Sequence, residues 1–332
     1  MHNLLDPAIL FFVFGLVAGL AKSNLEIPPA ISRFLSLYLL MALGLKGGFA
    51  LAKSGWTASV GLSLGLAVTL AVIIPAIGFF VLRRWVSGFD AAAVAATYGS
   101  VSAVTFVTAV QYLESRGLAY GGHMAAAMAL MESPAIIMAV LMANALRHKP
   151  QRPSVTPPGP TPVTAIPNSI GLKKMLHESL TDGAQMLLLG AMAVGLITGE
   201  SGKAAMQPFS GDLFKGMLSF FLLDMGLLAA RNLPEVQGKS AWLMAYAVLG
   251  PMVHAGLALG LSWMLGLHAG DASLLMVLAA SASYIAVPAA LRHAIPEAKP
   301  SLYFGLSLGL TFPLNILFGI PIYVSIAHQV LG

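Results

Sequence analysis

Apolar runs about as long as a bilayer is thick recur along the whole chain. A transmembrane helix needs about 20 predominantly apolar residues. Only 9% of the residues are charged, far below the roughly 25% of an ordinary soluble domain, so a water-soluble core does not account for these runs. We predict an all-α membrane protein with ten spans, at residues 8–21, 34–52, 56–82, 91–113, 124–146, 184–198, 209–230, 241–265, 272–291 and 302–327.

Two features of the composition exclude classes of function. The chain contains no cysteine, which excludes disulfides, thiolate metal sites and cysteine nucleophiles. Its net charge of +5 fits Lys and Arg on cytoplasmic loops, so we predict no nucleic-acid partner. We also predict no cofactor apart from a coupling cation.

A proline-rich segment divides the ten predicted spans into two sets of five. Residues 148–182 hold seven of the 20 prolines and show no apolar periodicity, as expected of a flexible linker. The flanking halves, 1–147 and 183–332, share landmarks at a nearly fixed offset: Leu43-Gly44-Leu45 with Met225-Gly226-Leu227, Ser100-Val101-Ser102 with Ser281-Ala282-Ser283, and Ser133-Pro134 with Phe312-Pro313. An odd number of spans per half turns the second copy over in the membrane, so we predict a 5+5 inverted repeat.

The loop charges give an independent prediction of the topology. With ten spans, thirteen of the 18 Lys and Arg fall on the side of the linker, and five fall on the other side: Lys46, Lys53, Arg116, Lys203 and Lys215. Lys and Arg accumulate on the cytoplasmic side. We therefore predict an inner-membrane protein with a cytoplasmic linker and both termini outside.

Spans four and nine both carry small polar residues near their middle. Span four contains Gly99, Ser100 and Ser102, and span nine contains Ser281 and Ser283, followed by a proline. Proline suits the first turn of a new helix, so we predict that both helices are interrupted. Two half-helix N-termini would direct free N–H groups at one spot and bind a small oxyanion there, together with a cation. The alternative is that these small residues only line helix crossings.

Ionisable residues within predicted spans are costly and by default suggest function. Glu132 precedes a proline in span five and could hold a cation, whereas Asp224 and His254 could equally make polar contacts between helices. Lys46 could attract anions or snorkel to the interface. On span ten, Thr311 and Asn315 could supply oxygen ligands to a hard cation or bridge helices.

Five stretches resemble the sodium-dependent bicarbonate transporters: GLKGGFAL (44–51), YGSVSAVT (98–105), MESPA (131–135), PMVH (251–254) and SASYIAVPAALRHAIPEAKPSLYFG (281–305). The resemblance implies a core domain of spans 3–5 and 8–10, a gate domain of spans 1, 2, 6 and 7, and a homotrimer. It also implies bicarbonate at the crossing of spans four and nine, and a cytoplasmic regulator of the PII type that can plug the pore.

By motif position, the same resemblance places the substrate and sodium site on eight residues of this chain: Ser100, Ser102, Ala103, Thr105, Ser281, Ser283, Tyr284 and Ala286. Together with the polar residues of the spans described above, it leads us to expect substrate binding at Gly99, Ser100, Ser102, Ala103, Ser281, Ser283 and Tyr284, and sodium binding at Thr105, Glu132, Ala286, Thr311 and Asn315. Lys46, Asp224 and His254 are candidates for gating or coupling. Two departures concern sodium: Tyr284 stands where cyanobacterial members carry an acidic residue, and Ala103 and Val104 stand near the places of a glycine and a serine.

The favoured function is secondary transport of a small inorganic anion, with sodium-dependent bicarbonate uptake by alternating access as its specific form. The alternatives are a proton- or sodium-coupled carrier of another small anion or carboxylate, and a membrane receptor that recruits a cytoplasmic regulator. An intramembrane enzyme built on Glu132, Asp224 and His254 is disfavoured, because these residues come from separate spans with no motif spacing.

Overall fold

The computed structural model describes residues 6–147, 182–236 and 238–332, and within them all regular secondary structure is helical. The linker predicted at 148–182 lies outside the described residues, apart from Asp182. The main helices are α1 (Pro7–Leu20), α2 (Pro29–Ser54), α3 (Ala58–Leu82), α4 (Gly88–Gly99), α5 (Ala103–Ser115), α6 (Met124–Arg147), α7 (Gly183–Met206), α8 (Phe214–Asn232), α9 (Ala241–Met264), α10 (Ala269–Ala280), α11 (Ala286–Ala294) and α12 (Pro300–Leu331).

Within the described part of the chain, seven helical segments are long and apolar enough to cross a membrane. They are Pro29–Ser54, Ala58–Leu82, Gly88–Ser115, Met124–Arg147, Gly183–Glu235, Ala241–Met264 and Pro300–Leu331, with shorter apolar helices at Pro7–Leu20 and Ala269–Ala280. The prediction of an all-α, multi-pass membrane protein is thereby confirmed. The number of ten spans stays a prediction.

Several helices begin where the sequence supplies a capping side chain. The Asp6 carboxylate accepts the N–H of Ala8 at 2.9 Å, just ahead of Pro7 at the first position of α1. At the start of α7, the carboxylate of Asp182 accepts the N–H groups of Ala184 and Gln185. Such caps satisfy N–H groups that have no partner inside the helix.

Helices of the first half pack backbone to backbone against helices of the second half. In the α1–α8 pair, a Cβ atom at Gly15 would lie 2.2 Å from the carbonyl oxygen of Leu223. In the α2–α7 pair, a Cβ atom at Gly48 would lie 2.1 Å from the carbonyl oxygen of Met192. Neither position can carry a side chain without moving the partner helix, so glycine brings these helices into close contact, as small residues do in membrane proteins.

Helix α4 is enclosed by the helices around it. Every residue from 90 to 99 is buried, and five of them are alanine. Because alanine adds little bulk, other helices can approach α4 from all directions. Its neighbours include α3, α6, α9 and α12, which contribute Phe79, Ile136, Leu243 and Tyr303 to the surrounding apolar cluster. This packing holds the C-terminal end of α4 firmly in the interior.

Candidate binding site at two helix breaks

Two short non-helical segments face each other in the interior. Helix α4 ends at Gly99 and α5 begins at Ala103, with Ser100 and Ser102 in extended conformations. Helix α10 ends at Ala280 and α11 begins at Ala286. The segments 100–102 and 281–285 are called break 1 and break 2 below.

Hydrogen bonds join the two breaks directly. The N–H of Ser102 donates to the hydroxyl of Ser281 at 3.0 Å, and that hydroxyl donates in turn to the carbonyl of Leu278 at 2.8 Å. In the other direction, the N–H of Ser283 donates to the carbonyl of Thr97 at 2.8 Å. One backbone N–H group of each break thus finds a partner on the opposite segment, as irregular backbone must when it is buried in a membrane protein.

Serine hydroxyls also stabilise the start of each following half-helix. The hydroxyl of Ser102 accepts the N–H of Thr105 at 3.2 Å and its hydroxyl at 2.9 Å. The hydroxyl of Ser283 accepts the N–H of Val287 at 3.3 Å. The first N–H groups of α5 and α11 have no partner inside their helices and carry the positive ends of the helix dipoles.

A cavity of about 520 Å³ lies against both breaks. Five of the predicted site residues at the breaks line it: Ser102, Ala103, Ser283, Tyr284 and Ala286. Its remaining walls come from α2, α6, α7 and α11, and it extends to Asp182 and Ala294. Arg147 is the last residue before the linker, and its guanidinium donates a hydrogen bond to the carbonyl of Ala294. The end of the cavity at Ala294 is therefore on the linker's side of the molecule.

Glu132 also lines the cavity, where it meets a residue that the sequence did not single out. The side-chain amide of Gln185 on α7 donates a hydrogen bond to the Glu132 carboxylate on α6. Both side chains line the same cavity, together with Asp182. A carboxylate and two serine hydroxyls therefore face one space, which suits an anion together with a cation.

Gly99, Ser100 and Ser281 lie behind the cavity wall instead of lining it. A Cβ atom at Gly99 would lie 2.4 Å from the Pro75 ring, so α3 contacts α4 closely there. Ser100 is fully buried, and its hydroxyl has no hydrogen-bond partner within the described chain. Ser281 contributes through its bond to the Ser102 backbone. These three residues therefore contribute to the packing of the breaks and not to the surface of the cavity.

The predicted cation residues are divided between the cavity and its supports. Glu132 and Ala286 line the cavity, whereas Thr105 bonds back to Ser102. Thr311 accepts from or donates to Tyr98 at 2.6 Å and donates to the carbonyl of Ala247 at 2.8 Å. The amide of Asn315 donates to the carbonyl of Ala280 at 2.8 Å, directly before break 2. Thr311 and Asn315 thus brace the ends of α4 and α10.

The three gating candidates lie outside the lining of this cavity. Lys46 forms an ion pair with Glu114 at 2.8 Å. Asp224 interacts with the side chain of Ser32. His254 interacts with the backbone of Ala279, and its Nδ1 atom has no hydrogen-bond partner in the described residues.

The sequence GLSLG occurs at 61–65 and at 305–309 and fits the GxSxG pattern of serine hydrolases. That motif needs a strand followed by a sharp turn and a helix. Here Ser63 lies within α3, and Ser307 lies within α12, where its hydroxyl donates to the carbonyl of Tyr303. Neither serine is placed as a nucleophile.

Residues 7–328 match the family model of the Na⁺-dependent bicarbonate transporter superfamily. The chain belongs to this superfamily. The match covers nearly the whole chain, including both breaks, and it confirms the resemblance seen in the sequence. This superfamily consists of transporters and not of enzymes. The match therefore confirms the prediction that the chain is not an enzyme. A search among curated proteins found no match.

Sequence reasoning missed residues whose partners lie far away along the chain. The carboxylate of Asp90 accepts the N–H of Lys299 at 2.9 Å, and that of Asp271 accepts the N–H of Gly121 at 2.6 Å. Asp90 and Asp271 occupy the third position of α4 and α10 respectively. The same repeat offset that pairs Ser100 with Ser281 also pairs these aspartates, so comparing the halves position by position could have found them. No comparable feature of the sequence marks Gln185 as a residue of the cavity.

Proposed function

We propose that this chain imports bicarbonate together with sodium by alternating access. The observation that carries the proposal is the cavity that reaches Ser102 and Ser283 at two adjacent helix breaks. Membership of the Na⁺-dependent bicarbonate transporter superfamily supports both the substrate and the coupling ion.

The chemistry of the cavity suits a small oxyanion. The N-terminal ends of α5 and α11 supply positive dipole ends, and Ser102, Ser283 and Tyr284 supply hydroxyls. No lysine or arginine is among the described residues that line the cavity. Bicarbonate would then be held by hydrogen bonds and partial charges, which allow release more readily than a full ion pair.

A coupling cation would offset the electrical cost of anion uptake. Bringing one anion into a negative interior costs about 2.3 kcal/mol per 100 mV, and one accompanying sodium ion cancels that cost. We propose that Glu132 provides the carboxylate for this ion, with oxygen ligands near Ala286. Thr105, Thr311 and Asn315 would act as supports of the site, since they hydrogen-bond to Ser102, to Tyr98 near the end of α4 and to Ala280 at the end of α10, respectively.

The proposed architecture is the 5+5 inverted repeat with α4–α5 crossing α10–α11 at the breaks. The equal lengths of α4 and α10, 12 residues each, and the matching aspartates at their starts support it. Helices α3–α6 and α9–α12 would form the core domain, and α1, α2, α7 and α8 the gate domain. We further propose a cytoplasmic linker, external termini, a homotrimer and a PII-like regulator, on the strength of the charge distribution and the family.

The walls of the cavity suggest how the site changes access. Ser36 and Leu40 of α2 and Leu188 of α7 line the cavity together with residues of α6, α11 and the breaks. Gln185 and Glu132 join the two groups. Movement of the core against the gate would therefore close the cavity on the linker's side and open a path on the other.

The deciding experiment is uptake of labelled bicarbonate into proteoliposomes with and without an imposed sodium gradient. We expect sodium-stimulated uptake by the wild type and its loss in Ser102→Ala and Ser283→Ala. Ser102 also caps α5, and Ser102→Thr keeps the capping hydroxyl. This variant therefore separates loss of the cap from crowding of the site.

Ser262→Ala is the matched control. Ser262 is fully buried, and its hydroxyl has no hydrogen-bond partner within the described chain. Its replacement should leave uptake unchanged. Bicarbonate uptake that survives both Ser102→Ala and Ser283→Ala would place the site elsewhere. Sodium-stimulated uptake of another small carboxylate in place of bicarbonate would favour a different cargo.

A further inference from the structure

A second group of contacts lies across the molecule from the linker. Helix α6 has 24 residues and is about 36 Å long at 1.5 Å per residue. Gly122, two residues before its first residue Met124, is therefore far from Arg147 at its linker end. The side of the molecule that contains Gly122 is called the outer side below.

An ion pair links α2 to α5 on the outer side. The Lys46 ammonium lies 2.8 Å from the Glu114 carboxylate and 3.9 Å from the centre of the Phe214 ring. The other carboxylate oxygen of Glu114 accepts the hydroxyl of Tyr120 at 2.8 Å. Burial and the nearby Glu114 carboxylate raise the pKa of Tyr120, so its hydroxyl stays protonated and remains a donor.

A backbone contact stands directly beside this ion pair. A Cβ atom at Gly122 would lie 2.4 Å from the carbonyl oxygen of Gly47, and one at Gly47 would lie 2.8 Å from the carbonyl oxygen of Gly122. Helix α2 therefore meets the segment before α6 with no side chain between them. The contact leaves no passage at this point.

Two cavities lie on either side of this closure. The ion pair borders a charged outer cavity of about 580 Å³, to which α2 and α7 contribute Lys53, Glu200 and Lys203. The cavity at the breaks extends instead toward Asp182 and Ala294 on the linker's side. The structure thus combines contact on the outer side with a cavity on the linker's side.

We infer that Lys46 and Glu114, together with the Gly47–Gly122 contact, form the outer gate of the transport cycle and are closed in this structure. The inference rests on the proposed function, because it assigns α2 to the gate and α5 and α6 to the core. Lys46 and Glu114 act as positioning residues that hold the two groups together.

The exposure of the pair suits a gate that opens in every cycle. The side chains of Lys46 and Glu114 are 20% and 31% exposed. Water can solvate both charges once they separate, so a partly exposed ion pair is weak and reversible. A fully buried pair would be left with unpaired charges on opening, which is strongly unfavourable.

The absence of cysteine from the chain allows a direct test with a single reporter. Ala129 lines the cavity at the breaks, so Ala129→Cys can be labelled with a membrane-impermeant maleimide added to one side of sealed, oriented vesicles. We expect labelling from the linker's side to predominate. Labelling that is equally fast from the outer side would overturn the inference.

Lys46→Gln and Glu114→Gln are each added to this reporter. Each should raise the outer-side labelling rate about threefold, a shift of about 0.7 kcal/mol in the gate equilibrium, in keeping with a partly exposed ion pair. Lys53→Gln is the matched control, since Lys53 lies on the same helix and borders the same outer cavity, and it should leave the rate unchanged.

Charge exchange separates gating from a loss of folding. The double variant with Lys46→Glu and Glu114→Lys should return outer-side labelling toward that of the reporter alone. Gly122→Ala should raise the labelling by wedging the backbone contact apart. Outer-side labelling that is the same in both single Gln variants as in the reporter would overturn the gate. Because the assay needs no bicarbonate, a shift in labelling supports the gate even if bicarbonate proves not to be the substrate.

Discussion

The hydroxyl of Tyr284 lies 3.6 Å from the sulfur of Met225 and donates a hydrogen bond to it. Tyr284 belongs to break 2 and Met225 to α8, so this contact joins the candidate site to a helix of the proposed gate. The Tyr284 ring also packs edge-on against Phe312 at 5.3 Å between centroids. A side chain at the cavity is thus held by contacts on two helices outside it.

We predict that Tyr284→Asp strengthens the sodium dependence of uptake. A carboxylate at this point of the cavity supplies an ionised oxygen to a cation, and the half-saturating sodium concentration should fall about tenfold, or by about 1.4 kcal/mol. Tyr284→Phe, which keeps the ring and adds no charge, is the control. A sodium titration of bicarbonate uptake measures both, and an unchanged response in Tyr284→Asp would reject a role for this position in coupling.

Glu132→Gln should abolish the sodium stimulation of uptake while preserving the fold. The replacement has nearly the same shape and can still hydrogen-bond to Gln185, but it removes the negative charge that a cation needs. Glu26→Gln, at an exposed position before α2, is a control for the loss of one glutamate. Full sodium stimulation in Glu132→Gln, measured in the same proteoliposomes, would remove Glu132 from the proposed sodium site.

Gly48→Ala should destabilise the protein without any change of charge. Its Cβ atom would meet the carbonyl oxygen of Met192 at 2.1 Å, and forcing such helices apart typically costs about 1–3 kcal/mol. Gly65→Ala is the control, since a Cβ atom there has no neighbour within 4 Å. Thermal unfolding in detergent should show a lower midpoint for Gly48→Ala alone, and equal midpoints would contradict the close packing of α2 on α7.

The ion pair between Arg147 and Glu297 should stabilise the protein only above acidic pH. The hydrogen-bonded Arg147 guanidinium lowers the pKa of Glu297 below its ordinary value of 4.5. The pair therefore stabilises the folded protein when the pH is above the ordinary glutamate pKa of 4.5. This stabilisation is lost as the pH falls through the lowered pKa.

Thermal unfolding of wild type and Glu297→Gln at neutral and acidic pH tests this dependence. We expect a difference of about 0.2–1 kcal/mol at about pH 7, since the pair is exposed, and its loss as the pH falls through the lowered pKa of Glu297. A difference that persists unchanged in acid would mean that Glu297 acts through something other than its charge.

The helical class and the positions of the breaks could be read from local sequence. Apolar runs report membrane burial, and Ser100 and Ser281 stand out because small polar residues interrupt such runs. The partners of Glu132 and Lys46 could not be predicted in this way. Gln185 is 53 residues from Glu132 and Glu114 is 68 residues from Lys46, and no periodicity of either helix encodes which distant side chain it meets.

The sequence left two roles open for the polar residues of span ten, as ligands of a cation or as bridges between helices. Thr311 and Asn315 have oxygen atoms suited to a cation, yet the structure uses them to bond to the carbonyls of Ala247 and Ala280. A hydroxyl or amide on a helix can serve a ligand or a neighbouring backbone equally well. The choice depends on helix rotation, which the packing of the whole bundle determines.

The pairing of α1 with α8 has a consequence for how the protein is made. Asp6 at the start of α1 forms an ion pair with Lys215 on α8, 209 residues later. At about 5–20 residues per second, the ribosome needs about 10–40 s to reach that lysine. During this time the glycine-rich surface of α1 must wait in the bilayer without its final neighbour, so lipid or an insertion chaperone has to cover it until the second half emerges.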